Sequence, residues 1–109
     1  GLMANNYKNS KVDLANTNVT TLYTAPAATQ AIVKSLLVSN DSGSDDTITV
    51  TITDSASAVF SVYKNEEVGA LSTKELLSQP LIVMETEILK VTAATGARLH
   101  VVASYLEVT

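Results

Sequence analysis

The chain has no cysteine and no tryptophan, and only four glycines and two prolines among its 109 residues. Without cysteine there is no disulfide framework, no thiolate metal ligand and no cysteine nucleophile, so packing must supply the stability. The aromatics are Tyr7, Tyr23, Phe60, Tyr63 and Tyr105, and the missing indole removes the usual sugar-stacking surface of a glycosidase or lectin. Bases are scarce as well, 7 against 11 acids for a net charge of -4. Tracking a phosphate backbone needs clustered Lys and Arg, so nucleic acid is not an expected partner. The longest apolar runs, such as Leu81 to Met84, fall far below the ~18 residues of a membrane span, and no membrane association is expected. Gly1 to Ser10 lacks the charged and apolar regions of a signal peptide. Gly1-Leu2 ahead of Met3 reads as a cloning remnant, which leaves residues 3–109 as one expected domain.

The most informative stretch is Thr47-Ile48-Thr49-Val50-Thr51-Ile52-Thr53. Strict alternation of β-branched apolar and hydroxyl residues suits a strand with one buried face and one wettable face. Similar segments recur at about the 8–12-residue spacing of sandwiches and barrels. They are Tyr7 to Leu14, Val19 to Thr24, Ala31 to Ser39, Ala58 to Lys64, Leu81 to Met84, Ile88 to Thr92 and Leu99 to Val108. The expected fold is all-β, a single antiparallel β-sandwich of about eight strands with jelly-roll or related topology.

The connections carry their own signals. Asn16-Thr17-Asn18 supplies turn-forming side chains, and Pro26 within Ala25 to Ala28 interrupts any ladder. Asn40 to Asp46 reads as a hairpin loop whose tight reversal uses Gly43. Ser72 to Leu77 has a cap-type residue with an acid three positions on, so a helical turn and a strand are both open. Leu81 to Met84 and Ile88 to Thr92 are expected to pair with each other. In Ala31 to Ser39 and Leu99 to Val108 both parities are apolar, the mark of a strand covered on both faces, whether by the core or by another subunit.

Chemistry is largely excluded. His100 is the only histidine, so a multi-histidine metal site is impossible within one chain, and it is read as structural. No serine has the flanking glycines of a nucleophile elbow. Asp41, Asp45 and Asp46 share a loop but lack the alternating order of a calcium loop, and Glu66-Glu67 and Glu85/Glu87 read as solvated pairs. No cofactor, metal or catalytic residue is assigned, and the chain is expected not to be an enzyme. A receptor- or glycan-binding module is the alternative, and it requires a polar groove or exposed tyrosines such as Tyr7, Tyr23 or Tyr63 converging on one patch.

Three segments, Thr21-Leu22-Tyr23-Thr24-Ala25-Pro26-Ala27, Ala31 to Asn40 (AIVKSLLVSN) and Pro80 to Glu85 (PLIVME), together with Ile88-Leu89-Lys90-Val91, resemble small virion structural proteins of tailed bacteriophages, including marine and cyanobacterial phages. The resemblance runs from about Asn6 to Val108. Relatives often carry glycine in the turn where this chain has Glu85-Thr86-Glu87. The resemblance implies a non-enzymatic protein of the virion, made in the host cytoplasm, with capsid decoration first and a tail- or fibre-associated binding module as the alternative. It implies other capsid or tail proteins as partners and a homo-oligomer, with a trimer at a capsid symmetry point as one form. Apolar strand faces of this kind suit self-association. Tyr105 and Leu106 are the candidate buried subunit contacts, and Lys34 and Arg98 the candidate pairs for acids on a neighbour.

Overall fold

Alternation along the chain becomes nine strands in the computed structural model, which describes residues 4–109; the reading of Gly1-Leu2 as a remnant before Met3 lies outside that range. They are β1 (Asn5–Leu14), β2 (Thr20–Thr24), β3 (Gln30–Asn40), β4 (Asp46–Thr53), β5 (Val59–Val68), β6 (Ser72–Glu75), β7 (Leu81–Val83), β8 (Ile88–Ala93) and β9 (Leu99–Val108). Sheet A has the order β1-β9-β3-β6, with β7 pairing the other half of β3, and sheet B the order β2-β8-β4-β5. Every pairing is antiparallel.

The pairings nest. β1 pairs with β9, β2 with β8, β3 with β6 and β7, and β4 with β5, so the chain is one long hairpin. Rolling that hairpin brings β3 beside β9 and β4 beside β8, which is a jelly roll. The ninth strand arises because one strand of the roll is broken. Both β6 and β7 pair β3, and the break between them contains Pro80, which has no amide to give a ladder. Ser72–Glu75 is a strand, not a helical turn, because Leu37 to Asn40 offer it a ladder on the β3 edge.

Two expected connections are corrected. Asn40 to Asp46 does not close a hairpin; it carries the chain from sheet A to sheet B. The buried Asn40 side chain organises the crossing, donating from Nδ2 to the Ser44 and Val68 carbonyls at 2.8 and 3.0 Å. Its Oδ1 accepts from the Ser42 amide and hydroxyl. Gly43 has no positive φ, and a Cβ there would meet nothing within 4 Å, so the reversal does not need glycine. Likewise β7 and β8 are not partners, since β7 pairs β3 in one sheet and β8 pairs β2 and β4 in the other.

The turn between them explains why. The Glu87 amide donates to the Met84 carbonyl at 3.1 Å, and Thr86 has φ 65°, so the turn takes the type II form that glycine favours. The Thr86 amide also donates to Ala25 at 2.8 Å, which ties the turn to the end of β2 where the chain changes sheets.

Between the sheets lies an aliphatic core. Leu14, Leu36, Ile48, Leu89 and Leu99 are its largest fully buried side chains, packed with Val33, Val38, Val50, Val68, Val83, Val91 and Val101. Each such side chain contributes on the order of 1.5–3 kcal/mol by leaving water. The double apolar parity of β3 has a partly local cause. A bulge sets Lys34 and Ser35 against Ser104, and the extra residue switches parity, so Val33 and Leu36 both face inward.

Candidate assembly surface

The two outward faces of the sandwich differ in chemistry. Along β4 and β8 of sheet B the outer positions are Thr47, Thr49, Thr51, Lys90 and Thr92, a wettable face produced directly by the threonine alternation. Across sheet A the registers Tyr7↔Leu106, Leu106↔Ile32 and Ile32↔Ile82 line up four large apolar side chains in one row over four strands. Tyr7 is 75% exposed and Ile82 44%, while Ile32 and Leu106 are half-buried. Beyond the bulge a second row reads Lys11, Val102, Leu37 and Glu75. A third reads Asp13, His100, Ser39 and Thr73. An apolar row of this extent is the kind of surface that proteins normally cover.

The four candidate interface residues are divided by this geometry. Leu106 lies in the apolar row. Lys34, on the bulge, sets its ammonium 5.5 Å from the Tyr7 ring centroid, a cation–π contact. Tyr105 points the other way. It is a core residue at 4% exposure, its ring 4.3 Å from that of Tyr23 and its hydroxyl 2.7 Å from Ser10 Oγ. Arg98 donates from Nη1 to the Asp45 carbonyl at 2.8 Å, so it staples loops of its own chain. Tyr7, Ile32, Ile82, Leu37 and Val102 escaped the sequence reading as a set. The signal was the double parity of β3 and β9, but which strands flank them is not written in either segment.

Tyr7, Tyr23 and Tyr63 do not converge. Tyr23 is inside the core, Tyr63 is half-buried with its hydroxyl donated to the Leu76 carbonyl at 2.6 Å, and Tyr7 stands on the sheet A face. Of the two features that the glycan-binding alternative could use, the converging tyrosine patch is therefore not formed.

Charge inside the sandwich is concentrated at Glu107, which is only 5% exposed. Its Oε1 is 2.8 Å from Lys8 Nζ, and its Oε2 accepts from the Tyr23 hydroxyl at 2.5 Å. The hydrogen bond from Lys8, then that from Tyr23, holds the Glu107 carboxyl below its ordinary pKa. The same contact raises Lys8, and burial followed by the Glu107 bond raises the Tyr23 hydroxyl. A buried carboxylate is tolerable when its oxygens are paired in this way. Glu75 fixes the bulge. Its carboxylate accepts from the Ser35 hydroxyl, from the Leu36 amide at 2.7 Å and from the Leu77 amide at 3.2 Å. Desolvation pushes the Glu75 pKa up, but these bonds outweigh it and the net shift is downward.

The remaining acids serve local geometry. Asp45 accepts from the Ala70 amide at 2.9 Å, while Asp46 accepts from the Thr47 and Thr95 amides at 2.8 and 2.9 Å. Glu85 accepts from the Ala28 amide, Glu87 from the Met84 amide, and Glu66 pairs with Lys74. Asp41 faces His100, whose other ring nitrogen is 3.3 Å from Asp13. That histidine lies on the exposed face of sheet A and is not a core residue. Among the described residues no group of three or more His, Cys, Asp or Glu side chains is placed to hold a metal ion.

No protein-family model matches the sequence, and no curated protein is significantly similar to it. Solved structures of similar fold include a pilus chain and a viral chain. A chain from Bacillus endospore appendages, described as disulfide-linked pili, superposes with TM-score 0.56 at 14% identity, covering 99% of this chain and 89% of that one. A chain of infectious bursal disease virus, Gx strain, superposes with TM-score 0.51 at 14% identity, covering 98% of this chain and 32% of that one. This chain thus spans about a third of the viral one. The likeness is one of fold, and the disulfide linkage in the description of the pili has no counterpart in a chain without cysteine.

Proposed function

We propose that this chain is a non-enzymatic structural subunit of a tailed-bacteriophage virion, most simply a capsid-decoration protein acting as a homo-oligomer against other virion proteins. The observation that carries the reading is the unequal pair of outer faces. Along β4 and β8 one is threonine-rich and wettable, with exposed apolar Val59 and Phe60 confined to the edge strand β5, whereas the other sets Tyr7, Leu106, Ile32 and Ile82 in a row across four strands. A particle subunit needs one face toward water and one toward its neighbours, and apolar surface is what association buries. The phage resemblance of the sequence supplies the kind of particle, and fold neighbours from a pilus and a virus are in keeping with a role in an assembly.

The test is quantitative mass spectrometry of purified virions, counting this chain against the major capsid protein. Hundreds of copies support capsid decoration. A few to a few dozen move it to the neck, tail or fibre, and absence from the particle overturns the virion reading.

A further inference from the structure

Resting on that structural reading, we infer that the apolar face of sheet A is covered by the same face of a second copy, in a closed two-fold dimer whose axis runs parallel to the strands between β9 and β3. The pattern of rows selects this arrangement. Rotation about such an axis exchanges the two edges of sheet A and leaves each row facing itself. Tyr7 then meets Ile82 of the second copy, and Leu106 meets Ile32. In the next row Lys11 meets Glu75, and Val102 meets Leu37. Within these two rows apolar groups face apolar groups and Lys11 and Glu75 meet their opposites, twice per dimer, while the Lys34 ammonium on the bulge between the rows keeps its place against the Tyr7 ring. Turning the axis perpendicular to the strands and midway between the two rows sets the first row over the second. That would press Ile82 onto Glu75 and Tyr7 onto Lys11, leaving both charges without an opposite partner.

The groups that must meet are accessible. Lys11 is exposed and held only by an exposed contact to Asn9 Oδ1 at 3.3 Å, and Glu75 is exposed while holding Ser35 and the bulge amides. The area suffices. Three strands of ten or eleven residues, β1, β9 and β3, with the four residues of β6 and three of β7 in the fourth position, spaced about 4.8 Å apart at about 3.4 Å per residue, form a face on the order of 600 Å². That approaches the roughly 800 Å² per partner of a stable interface. Sheets packed this way keep their strands nearly aligned, as in any sandwich. The closure is two-fold, so a trimer is not built through this face.

The test uses the whole chain in sedimentation velocity with two charge swaps. The wild type should sediment as a dimer at micromolar concentration. Lys11→Glu and Glu75→Lys each create two like-charge contacts and should each raise the dimer Kd about tenfold. Mixing the two variants restores opposite charges at both contacts and should restore dimerisation. If Glu75→Lys loses its fold because the bulge depends on that carboxylate, a second experiment decides the matter. Tyr7 and Ile82 are three strand spacings apart within one chain, about 14 Å, too far for a direct intrachain bond. In this cysteine-free background Tyr7→Cys/Ile82→Cys should form covalent dimers with a short bismaleimide, while neither single variant does. A wild type that stays monomeric at about 100 μM, or a dimer indifferent to the swaps and not cross-linked by the double variant, overturns the inference. A monomer found at hundreds of copies in virions would overturn only the dimer, and a two-fold dimer absent from virions only the virion reading.

Discussion

Replacing Thr86 by glycine should raise the melting temperature. Thr86 occupies the third position of the turn from Met84 to Glu87 with φ 65°, and it is exposed. A left-handed backbone costs an L-residue about 1–2 kcal/mol, because Cβ crowds the following carbonyl, and β-branching adds to the crowding. Glycine removes that cost but brings about 0.4–1 kcal/mol of extra freedom in the unfolded chain. The difference leaves a gain of about 1 kcal/mol, which for a domain near 100 residues means a rise of about 4–8 °C. Thr86 enters the hydrogen bonds of the turn only through its backbone, its amide donating to Ala25, while the side-chain bonds there come from Glu85 and Glu87, so glycine keeps them all. Reversible thermal melting followed by circular dichroism is the assay, with Thr86→Ala as control. Alanine removes the branch but keeps Cβ, so it should recover only part of the gain. A glycine variant that melts at or below the wild-type temperature would refute the strained-turn account, and an alanine variant matching glycine would move the cause from the backbone to the branch.

Three other outcomes test separate parts of the fold. Gly96→Ala should destabilise by about 1–3 kcal/mol in urea titration, since its Cβ would stand 2.7 Å from the Ala15 carbonyl oxygen and 3.0 Å from Asn16 Cα, backbone that cannot swing aside. Leu89→Ala, at a fully buried position of β8, should cost about 2–5 kcal/mol through the cavity it leaves, read from the shift in urea midpoint. Glu107→Gln should cost about 1.5–3 kcal/mol at neutral pH by weakening charge-assisted bonds to Lys8 and Tyr23. The sign follows from the depressed Glu107 pKa. Its contribution is complete above the unfolded carboxyl value, about 4.5, and is lost as pH falls through the lower folded value. The gap between wild type and variant should therefore close in acid, and a gap constant from pH 7 to pH 2 would refute the pairing.

The amino-acid order by itself determined the strands and the general architecture. Alternation such as that of Thr47 to Thr53 is a local property, because neighbouring side chains must point to opposite faces of any strand, and so it can be read without knowing the partners. It even marked the apolar face of sheet A indirectly, through the double parity of β3 and β9. Tertiary structure decided everything that depends on which strands are neighbours. Leu106 and Tyr105 are adjacent in sequence, yet one lies in the outward apolar row and the other in the core beside Tyr23, and only the second sheet says which side is inside. The bulge at Lys34 and Ser35 changed which parity of β3 faces inward, an event set by register against Ser104. Tyr7, Ile32 and Ile82 come from three separated segments, and the row they form with Leu106 exists only because the rolled hairpin places β1, β9, β3 and β7 side by side. Local patterning fixes how each residue points along its own strand, but a surface is a sum over strands, and that sum is made only when the sheet assembles.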